Sequence, residues 1–534
     1  MRTALSFLLL SCCLVSELLA QQFEWTRHDT TSFSFVPTFE NQSIAIGNSG
    51  DLQAVWLKQF FVSYNSRLYG DYEINSFDSS GNKTLAHTIG PKASIASLKV
   101  LSSGEFVVSG TFMDTLTVDG VILFNVNSPV QYAYNSYLLC FGSNGSLKWS
   151  RNFSISHTNV NESCLLAEDP VGNLWISLND YPNGGYLICM STSGTDSLQR
   201  SWPPDISLIS DIVFDGSGSL YLTGALGQDN FNFWSLNVVT NFSYNSFLAK
   251  VDPVGDCLWF RSFQDITFDN PHIEADDQSN IYLVKQLFDS VSVYGNFVGG
   301  PQWVYDFLVV KFDSSGNVFW ALDVPDQPAI TGDLRLSVAD PISLTTDGFN
   351  LLLGSRGNVD LGNGVIVGSG SPGTSRGLVL LHYDANGIPQ WNLQCPATYG
   401  IFPQQIIADD DGGYFSAIGS GPLRIGNDSI VMNPNFTYYY FLTRFSGPVS
   451  TGIMHPSMKT EVYPFVNPSS DGNLWIALPV GRHRILFSDF SGKKIFENEL
   501  ISAGDLTSLE TDLKDGFYLV TVDDGAPLKW LVYR

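Results

Sequence analysis

The chain has few charged residues, and most of those are acidic. Only 15% of its 534 residues are Asp, Glu, Lys or Arg, and 27 basic residues face 52 acidic ones, for a formal charge of −25. Such a surface repels nucleic acid and anionic lipid headgroups. We therefore expect no nucleic-acid partner, and we interpret the charge as a source of solubility.

Cysteine is scarce. Two of the seven cysteines lie near the N-terminus, and the other five are Cys140, Cys164, Cys189, Cys257 and Cys395. An odd number excludes a fully paired disulfide framework. Cys140 and Cys189 end two similar segments, Tyr-Leu-Leu-Cys and Tyr-Leu-Ile-Cys, and we expect both to be small buried apolar residues. A single disulfide involving Cys164 is left open, because the sequence does not fix pairing among the five.

Long apolar runs are missing beyond the first twenty residues. Arg2, the apolar stretch 4–15 and the small residue Ala20 have the order of a secretory signal, which predicts cleavage after residue 20. No later stretch approaches the roughly 18 apolar residues that span a bilayer. We predict a protein without a membrane span that is secreted, extracellular or at the cell surface, with the periplasm as an alternative. Residues 9–12 resemble a bacterial lipoprotein box only loosely.

Familiar catalytic motifs are also lacking. The chain contains no His-Glu-x-x-His, no Gly-x-Ser-x-Gly, no phosphate loop and no Cys-x-x-Cys. The sequence therefore assigns no catalytic, cofactor-binding or metal-binding residue. The acidic run 409–412 could hold Ca²⁺, but it lacks the alternating ligand spacing of an EF-hand loop. Asp169 and Gly172 mark the same place in another repeat, so we expect a structural turn and no cofactor, with Ca²⁺ as the alternative.

What the chain does have is a repeated phrase, Asp-x-x-Gly-x-x-x-Trp. It occurs at 252–259, 313–320 and 384–391, and a shorter copy ends at Trp149. An Asp side chain can accept hydrogen bonds from backbone amides that follow it, and Gly supplies a positive φ, so the phrase predicts a hairpin turn. The Trp that follows would anchor an outer strand between neighbouring sheets.

A second signal alternates with the first: a glycine turn followed by an apolar strand, as in 172–177, 218–224 and 472–477. Units that repeat at intervals of roughly 50–70 residues predict a radial array of small antiparallel sheets. The fold prediction is all-β: a single β-propeller of about seven to nine four-stranded blades over residues 21–534, after a signal peptide at 1–20. The unit signals begin near residues 45, 100, 166, 212, 273, 344, 406, 468 and 512.

The chain ends suggest how the ring closes. Phe23–His28 resembles the outer strand at 147–152, and the final segment, 516–534, lacks an outer strand of its own. Pairing them would remove two free sheet edges. We predict that the N-terminal strand completes the last C-terminal blade.

These signals resemble the repeats of the secreted bacterial β-propeller family called SBBP. The match is best at 215–259 and good at 273–324. The resemblance implies a propeller fold and secretion, and the family carries no catalytic motif that could be transferred. The Trp phrase also looks like the docking motif of quinoprotein dehydrogenases, but no repeat has both their Ala and their Thr, and their vicinal cysteine pair is absent from the mature chain.

Without a catalytic motif, we expect a secreted, monomeric, non-enzymatic scaffold whose loops bind an unidentified protein or carbohydrate. A rigid ring can present variable loops on one face, and the variable stretches 231–245 and 362–376 are where we expect recognition. Whether the protein is an enzyme is left open. The alternative is an extracellular polysaccharide hydrolase or lyase that uses loop carboxylates. Eight Asn-x-Ser/Thr sequons occur, at Asn41, Asn82, Asn144, Asn152, Asn161, Asn241, Asn427 and Asn435.

Overall fold

The computed structural model divides the chain into two compact units, 1–449 and 450–534. The structure describes residues 22–29, 43–47, 52–64, 67–124, 134–157, 164–180, 183–226, 230–239, 245–264, 271–287, 291–293, 296–298, 306–324, 332–337, 339–368, 376–395, 397, 400–409, 412–421, 423–426, 428–430, 438–446, 473–477, 481–488, 493–502, 506–510, 516–522 and 528–532. All regular secondary structure within these ranges is β-strand. The predicted all-β class is confirmed.

The first unit begins with β1 (Phe23–His28), and its sheets then follow one another along the chain. The strands of the first half are β2 (Ile44–Ile46), β3 (Leu52–Tyr64), β4 (Arg67–Phe77), β5 (Lys83–Val100), β6 (Phe106–Phe112), β7 (Thr115–Val118), β8 (Val121–Phe124), β9 (Tyr134–Phe141), β10 (Leu147–His157), β11 (Cys164–Glu168), β12 (Leu174–Asn179), β13 (Gly185–Met190), β14 (Asp196–Trp202), β15 (Ile206–Phe214), β16 (Leu220–Leu226), β17 (Asn230–Phe233), β18 (Leu236–Val239), β19 (Asn245–Val251) and β20 (Cys257–Gln264).

The second half of this unit continues the same alternation. Its strands are β21 (His272–Ala275), β22 (Ile281–Leu287), β23 (Val291–Val293), β24 (Asn296–Val298), β25 (Asp306–Phe312), β26 (Val318–Leu322), β27 (Gly332–Leu336), β28 (Ile342–Thr345), β29 (Gly348–Asp360), β30 (Ile366–Gly368), β31 (Gly377–Asp384), β32 (Pro389–Cys395), β33 (Ile401–Asp409), β34 (Gly412–Ser420), β35 (Leu423–Ile425), β36 (Asp428–Ile430) and β37 (Tyr438–Ser446).

Seven antiparallel sheets are built from these strands, and we call them sheets I to VII. In order they are β2-β3-β4-β5, β5-β6-β9-β10, β11-β12-β13-β14, β15-β16-β19-β20, β21-β22-β25-β26, β27/β28-β29-β31-β32 and β33-β34-β37-β1. Sheets I and II share β5, whose first half pairs with β4 and whose second half pairs with β6. Short hairpins, such as β17-β18, connect the second and third strands of several sheets.

Several middle strands are buried along their whole length, as in β6, β22 and β34. They read as continuous apolar runs because neighbouring sheets cover both of their faces. The outer strand β14 instead alternates between accessible and shielded residues. Large ring side chains pack across the spaces between sheets, for example Trp175 of sheet III with Phe214 of sheet IV at 5.6 Å and Tyr282 of sheet V with Phe349 of sheet VI at 5.5 Å between ring centroids.

The Asp-x-x-Gly turns have the chemistry that the sequence predicts. The Asp313 carboxylate accepts hydrogen bonds from the amides of Ser315 at 2.9 Å and Asn317 at 2.8 Å. Gly316 has a φ of 80°. These two features close a tight turn between the third and outer strands.

Four outer-strand tryptophans extend to the turn of the next sheet. In each, the indole N–H donates to a carbonyl of that turn and the ring lies against the turn glycine; at Gly316, an added Cβ would lie 3.3 Å from the Trp259 ring. An arginine two residues later, Arg261, covers the same indole at 5.5 Å. The four indole bonds are Trp25 to Ser79, Trp149 to Thr192, Trp259 to Ser314 and Trp320 to Ala385. The copy at 384–391 differs, because the buried indole nitrogen of Trp391 has no hydrogen-bond partner among the described residues.

Because the Trp ring lies against the turn glycine, we expect Ala substitutions at two glycines with similar backbone geometry to lower the free energy of unfolding by different amounts. Gly81 and Gly120 have φ values of 77° and 80°. A Cβ at 81 would lie 2.9 Å from the Trp25 ring, whereas one at 120 would have nothing within 4 Å. Both Ala substitutions should cost about 1–2 kcal/mol from the positive φ, but Gly81→Ala should cost about 1–3 kcal/mol more from the displaced ring. Urea unfolding would measure both, and equal losses would show that the ring is not held at this turn.

Side-chain hydrogen bonds also join consecutive sheets, from the first or second strand of one sheet to the first strand of the next. Asn179 of sheet III pairs with both backbone groups of Ile209 in sheet IV, and Gln286 of sheet V bonds to Leu334 and Leu336 in sheet VI. The remaining junctions use Ser109 with Cys164, Asp211 with Ile273, Ser343 with Ala408, and Gln405 with Ser43 and Ile44. First strands contact one another in the order β2, β5, β11, β15, β21, β28 and β33, and β33 also contacts β2.

The N-terminal strand does not pair where the sequence analysis placed it. β1 pairs with β37 of sheet VII, with Thr26 opposite Thr443 and His28 opposite Phe441. Trp25 then docks on the turn of sheet I. The prediction that this strand completes the last C-terminal sheet is therefore wrong; the physical reason is that β1 fills the outer position of sheet VII, beside β37.

The second unit has six described strands. They are β38 (Asn473–Ala477), β39 (Gly481–Ser488), β40 (Lys494–Ser502), β41 (Leu506–Glu510), β42 (Gly516–Val522) and β43 (Leu528–Val532). β38 pairs with β41, and the other four form a sheet in the order β40-β39-β42-β43. The repeat signals near 468 and 512 fall in this unit. No helix in the described residues has the length and apolar character needed to cross a membrane.

Candidate active site in the central cavity

A cavity of about 190 Å³ lies where the first strands of the seven sheets meet. Every one of those sheets contributes to its wall, so the cavity has no counterpart within a single repeat. Most of the wall is aliphatic. Its lining residues are Ile44, Ala45, Ile46, Leu98, Lys99, Val100, Leu166, Asp211, Ile212, Val213, Ile273, Glu274, Asp340, Ser343, Gln405, Ile406 and Ile407.

Four charged side chains enter this apolar wall: Lys99 on β5, Asp211 on β15, Glu274 on β21, and Asp340 immediately before β28. Asp211 and Asp340 are buried, Glu274 is partly buried and Lys99 is exposed. Carboxyl groups in such surroundings resist ionisation, because burial and like charges both disfavour the anion.

Asp211 is held in a fixed orientation. One carboxylate oxygen accepts the amide of Ile212 at 2.8 Å, and the other accepts the amide of Ile273 at 3.0 Å. Nδ1 of His272 lies 3.7 Å from the second oxygen. Asp211 therefore ties sheet IV to sheet V directly beside Glu274, which is the next residue after Ile273.

Asp340 occupies a kink between β27 and β28. Its backbone bridges to sheet VII, with its amide donating to the Gln404 carbonyl at 3.2 Å and its carbonyl accepting from Ile406 at 3.1 Å. The side chain is 9% exposed. Burial, with the nearby charges of Glu274 and Asp211, raises the pKa of Asp340 well above its usual range, against a smaller opposing effect of a hydrogen bond from the Ile342 amide.

Glu274 is the third carboxyl group and titrates near neutrality. Burial is the main cause and the Asp211 charge adds to it, raising the pKa of Glu274 to about 7. The Lys99 charge and a hydrogen bond from the Ala275 amide oppose the shift. Because Glu274 and Asp340 influence each other, they titrate as a pair.

The cavity carboxyl groups are not arranged as metal ligands. Among the described residues, no group of three or more His, Cys, Asp or Glu side chains could hold a metal ion. The predicted Ca²⁺ alternative at 409–412 lies mostly elsewhere: Asp409 ends β33 and Gly412 begins β34, while residues 410 and 411 lie outside the described residues. A Ca²⁺ site there stays a prediction.

Other residues singled out from the sequence have structural positions. Cys140, Cys164, Cys189, Cys257 and Cys395 are all buried free thiols, so none forms the disulfide that was left open. Burial raises the pKa of Cys257 to about 12, which leaves its sulfur unreactive at neutral pH.

The expected recognition stretches are only partly visible. Within 231–245, residues 231–239 lie in hairpin β17-β18 and its turn, and 240–244 are outside the described residues. Within 362–376, residues 366–368 form β30, which pairs with β29, and 369–375 are not described. The described residues of both stretches lie outside the wall of the central cavity.

Sequence reasoning missed all four charged cavity residues. The four residues lie far apart along the chain, and no local motif connects them. The available signal is their position within the repeat: Asp211 and Glu274 precede the turn residues Asp215 and Asp276 by four and two positions. An acidic residue in a first strand could therefore be recognised from the sequence. The other charged residues that share the cavity with it could not.

No protein-family model matches the chain, and no curated protein matches it. The resemblance to the SBBP repeats stays a prediction. Three solved structures are similar to parts of the chain. A gluconolactonase from Xanthomonas campestris is 13% identical, with 50% of this chain and 84% of that chain covered and a TM-score of 0.23.

The other two cover more of this chain. The PQQ domain of a pyranose dehydrogenase from Coprinopsis cinerea is 10% identical, covering 79% of this chain and 98% of that one, with a TM-score of 0.31. A member of the DUF4221 family from Bacteroides vulgatus is 8% identical, covering 76% and 99%, with a TM-score of 0.28.

These comparisons require a correction. We predicted a non-enzymatic binding scaffold, but two of the three similar structures are a gluconolactonase and a domain of a dehydrogenase. The prediction is contradicted. At these identities and TM-scores neither protein's chemistry transfers to this chain, and any reaction has to be argued from the cavity itself.

Proposed function

We propose that residues 22–446 form a closed seven-bladed β-propeller and that its central cavity is a hydrolytic acid–base site. The contacts between first strands, which return from β33 to β2, support closure of the ring. The Trp25 bond to Ser79, from sheet VII to sheet I, supports it from the outer strands. Each sheet is then one blade.

The observation that carries the catalytic proposal is that Glu274, Asp340 and Lys99 all line one cavity. General acid–base catalysis is most efficient when the pKa of the catalytic group is near the working pH, as it is for Glu274. Two carboxyl groups with different proton occupancies can act as base and acid in one reaction.

In the proposed reaction, Glu274 in its carboxylate form takes a proton from a water molecule. The water oxygen attacks the carbon of a C–O bond in the substrate, and that bond breaks. Asp340 donates its proton to the departing oxygen. The proton taken up by Glu274 then replaces the one lost by Asp340, which restores the starting state. Lys99 stabilises the Glu274 carboxylate, and Asp211 is a positioning residue that fixes β21 through the Ile273 amide.

The cavity limits the substrate. Its volume, about 190 Å³, is below the range of roughly 300–1,000 Å³ for pockets that enclose drug-sized ligands. The three carboxyl groups disfavour anionic substrates. We propose that the substrate is a compact, uncharged carbohydrate glycoside or ester. At most a single sugar ring of this substrate would enter the cavity.

The test is a turnover screen with nitrophenyl glycosides and small sugar esters and lactones. Glu274→Gln and Asp340→Asn should each reduce kcat/KM by roughly 10²–10⁴, and the kcat/KM of the native protein should show an ionisation near pH 7. Asp180→Asn is the matched control, because burial raises the pKa of Asp180 too but the residue does not line the cavity.

A result in which the native chain turns over no substrate in the screen would overturn the proposal. So would turnover that survives both cavity substitutions, or that is lost equally in the Asp180 variant.

A further inference from the structure

A glutamine side chain on the wall of the central cavity, Gln405, uses only one end of its amide group. It lies on β33 of sheet VII and is 3% exposed. Its Oε1 accepts the backbone amide of Ser43 at 2.6 Å and that of Ile44 at 2.9 Å, where sheet I begins. Because both partners are donors, the atom that they meet is the oxygen, and Nε2 with its two N–H groups is at the other end.

Other amide side chains of the first unit show how a purely structural group behaves at such a junction. Gln286 joins sheet V to sheet VI with both ends: its Oε1 accepts the Leu336 amide at 2.9 Å, and its Nε2 donates to the Leu334 carbonyl at 3.1 Å. Asn179 also uses both ends. Among the described residues, no acceptor takes the Nε2 of Gln405. Since Gln405 lines the cavity, these donors are available to a ligand there.

Gln405 lies directly beside the carboxyl group that we assign as the acid. Asp340 and Gln405 are opposite each other in a parallel β-bridge. The Ile406 amide donates to the Asp340 carbonyl at 3.1 Å, which holds the two chain segments together. Residues opposite each other on neighbouring strands project to the same face. A substrate that reaches the Asp340 carboxyl group therefore also reaches Gln405.

The other polar side chains of the wall have little to donate. Ser343 commits its hydroxyl to Ala408, donating to the carbonyl at 3.2 Å and accepting the amide at 2.9 Å. Both oxygens of Asp211 accept backbone amides. Lys99 can donate, but it is charged and exposed. Among the described wall residues, Gln405 is therefore the one uncharged side chain that can offer N–H groups to a substrate oxygen.

We propose that Gln405 is a catalytic residue that stabilises an oxyanion, and that the substrate of the cavity is a carboxylic ester, open-chain or cyclic, rather than a glycoside. This inference rests on the hydrolytic function proposed above. The oxygen of a water molecule attacks the carbonyl carbon while Glu274 takes a proton from it. The electron pair of the C=O π bond moves to the carbonyl oxygen, which becomes negative and accepts a hydrogen bond from Nε2. When that pair re-forms the C=O bond, the bond to the alcohol oxygen breaks and Asp340 protonates this oxygen, which yields a carboxylic acid and an alcohol.

The direction of the developing charge decides between the two substrate classes. Hydrolysis of an ester builds negative charge on an oxygen, and fixed N–H donors stabilise that charge in the transition state. Cleavage of a glycoside passes through a transition state that resembles an oxocarbenium ion and carries positive charge on the sugar ring. An N–H group beside that ring would not lower its energy. The free end of Gln405 is therefore useful only for the first reaction.

The experiment compares two variants that lose the N–H groups in different ways. Gln405→Glu keeps an oxygen for the Ser43 and Ile44 amides but adds a charge, whereas Gln405→Met adds no charge but loses those two bonds. Both should lower kcat for small neutral sugar esters and lactones by roughly 10²–10³. KM should change by less than about threefold, because the interaction forms only in the transition state. The native chain should hydrolyse these esters and leave nitrophenyl glycosides intact.

Gln286→Met is the matched control. It also removes the side-chain bonds of a buried glutamine between two sheets, but Gln286 does not line the cavity. Its kcat should stay within about threefold of the native value, and circular dichroism would establish that each variant is folded. An equal loss of kcat in the Gln286 variant would overturn the role of Gln405, since the effect would then come from a weakened junction.

The outcomes separate this inference from the function on which it rests. Absence of turnover for every substrate would overturn the hydrolytic function, and the role of Gln405 with it. Turnover that Glu274→Gln abolishes but neither Gln405 variant lowers would leave the acid–base function standing and overturn the role of Gln405. Hydrolysis of nitrophenyl glycosides in preference to esters would have the same consequence.

Discussion

A chain that starts at residue 30 should fail to fold its first unit, whereas a chain that ends at residue 449 should retain it. β1 supplies the outer strand of sheet VII and pairs with β37 along its length. Its side chains also join two sheets: Phe23 packs on Phe415 at 5.9 Å, and Trp25 packs on Tyr414 at 5.7 Å and docks on the turn of sheet I. Without it, sheets VII and I lose the contact that β1 makes between their outer parts, although β33 and β2 still contact each other.

The expected loss is large. Truncating a buried Phe or Trp costs about 3–5 kcal/mol, so two partly buried rings and a strand of backbone hydrogen bonds together represent about 5 kcal/mol or more. A whole domain has about 5–15 kcal/mol of net stability. The truncated chain should therefore be insoluble or lack a cooperative urea transition by tryptophan fluorescence.

A point substitution keeps the test interpretable if the truncated chain aggregates. Trp25→Ala should lower the free energy of unfolding by about 2–4 kcal/mol, less than a fully buried ring would, because Trp25 is partly accessible. His28→Ala, on an exposed residue of the same strand, should change it by less than about 0.5 kcal/mol. A chain beginning at residue 30 that unfolds with native cooperativity would show that β1 does not complete the ring.

The closing strand also illustrates what the sequence can and cannot specify. Phe23–His28 has the pattern of an outer strand, and it is one. That pattern would fit any sheet whose fourth strand is missing. It does not specify which strand β1 pairs with. The choice between β37 and β43 depends on which sheet is left incomplete, which in turn depends on where the array of seven sheets ends.

Turn and blade chemistry was predictable because it is local. Asp313, Gly316 and Trp320 lie within eight residues and show the expected bonds. The cavity was not predictable for the opposite reason. Lys99 and Asp340 are 241 positions apart, and only the meeting of strands from different sheets brings them to one wall. The raised pKa of Asp340 arises mainly from burial, and a sequence does not record burial.

The cavity should also control how stability depends on pH, and Glu274→Gln should reveal it. The pKa of Glu274 is raised from 4.5 to about 7 in the folded chain. Between those values the folded state holds a proton that the unfolded state has released. The contribution of Glu274 to folding stability is then fully present below pH 4.5 and is lost as the pH rises through 7. The shift corresponds to about 3 kcal/mol, shared with Asp340 because the two groups titrate together.

Glutamine cannot ionise, so the variant should lack this loss. Glu274→Gln should match the native chain near pH 4.5 and exceed its free energy of unfolding by up to about 3 kcal/mol at pH 8. Urea unfolding across pH 4.5 to 8 would measure both curves. A gain in stability on removing a charged group would also fit an active-site residue, since such groups are maintained at a cost to folding.

Asp347→Asn is a control whose expected effect on the free energy of unfolding has the opposite sign. The hydrogen bond from His382 lowers the pKa of Asp347 to about 2, so its contribution is present above its unfolded pKa and disappears as the pH falls through about 2. That variant should be less stable than the native chain at neutral pH and equal to it at the acid limit. Parallel curves for the native chain and Glu274→Gln would mean that Glu274 ionises freely, and the cavity would then lack the proton-exchanging group that the proposed reaction requires.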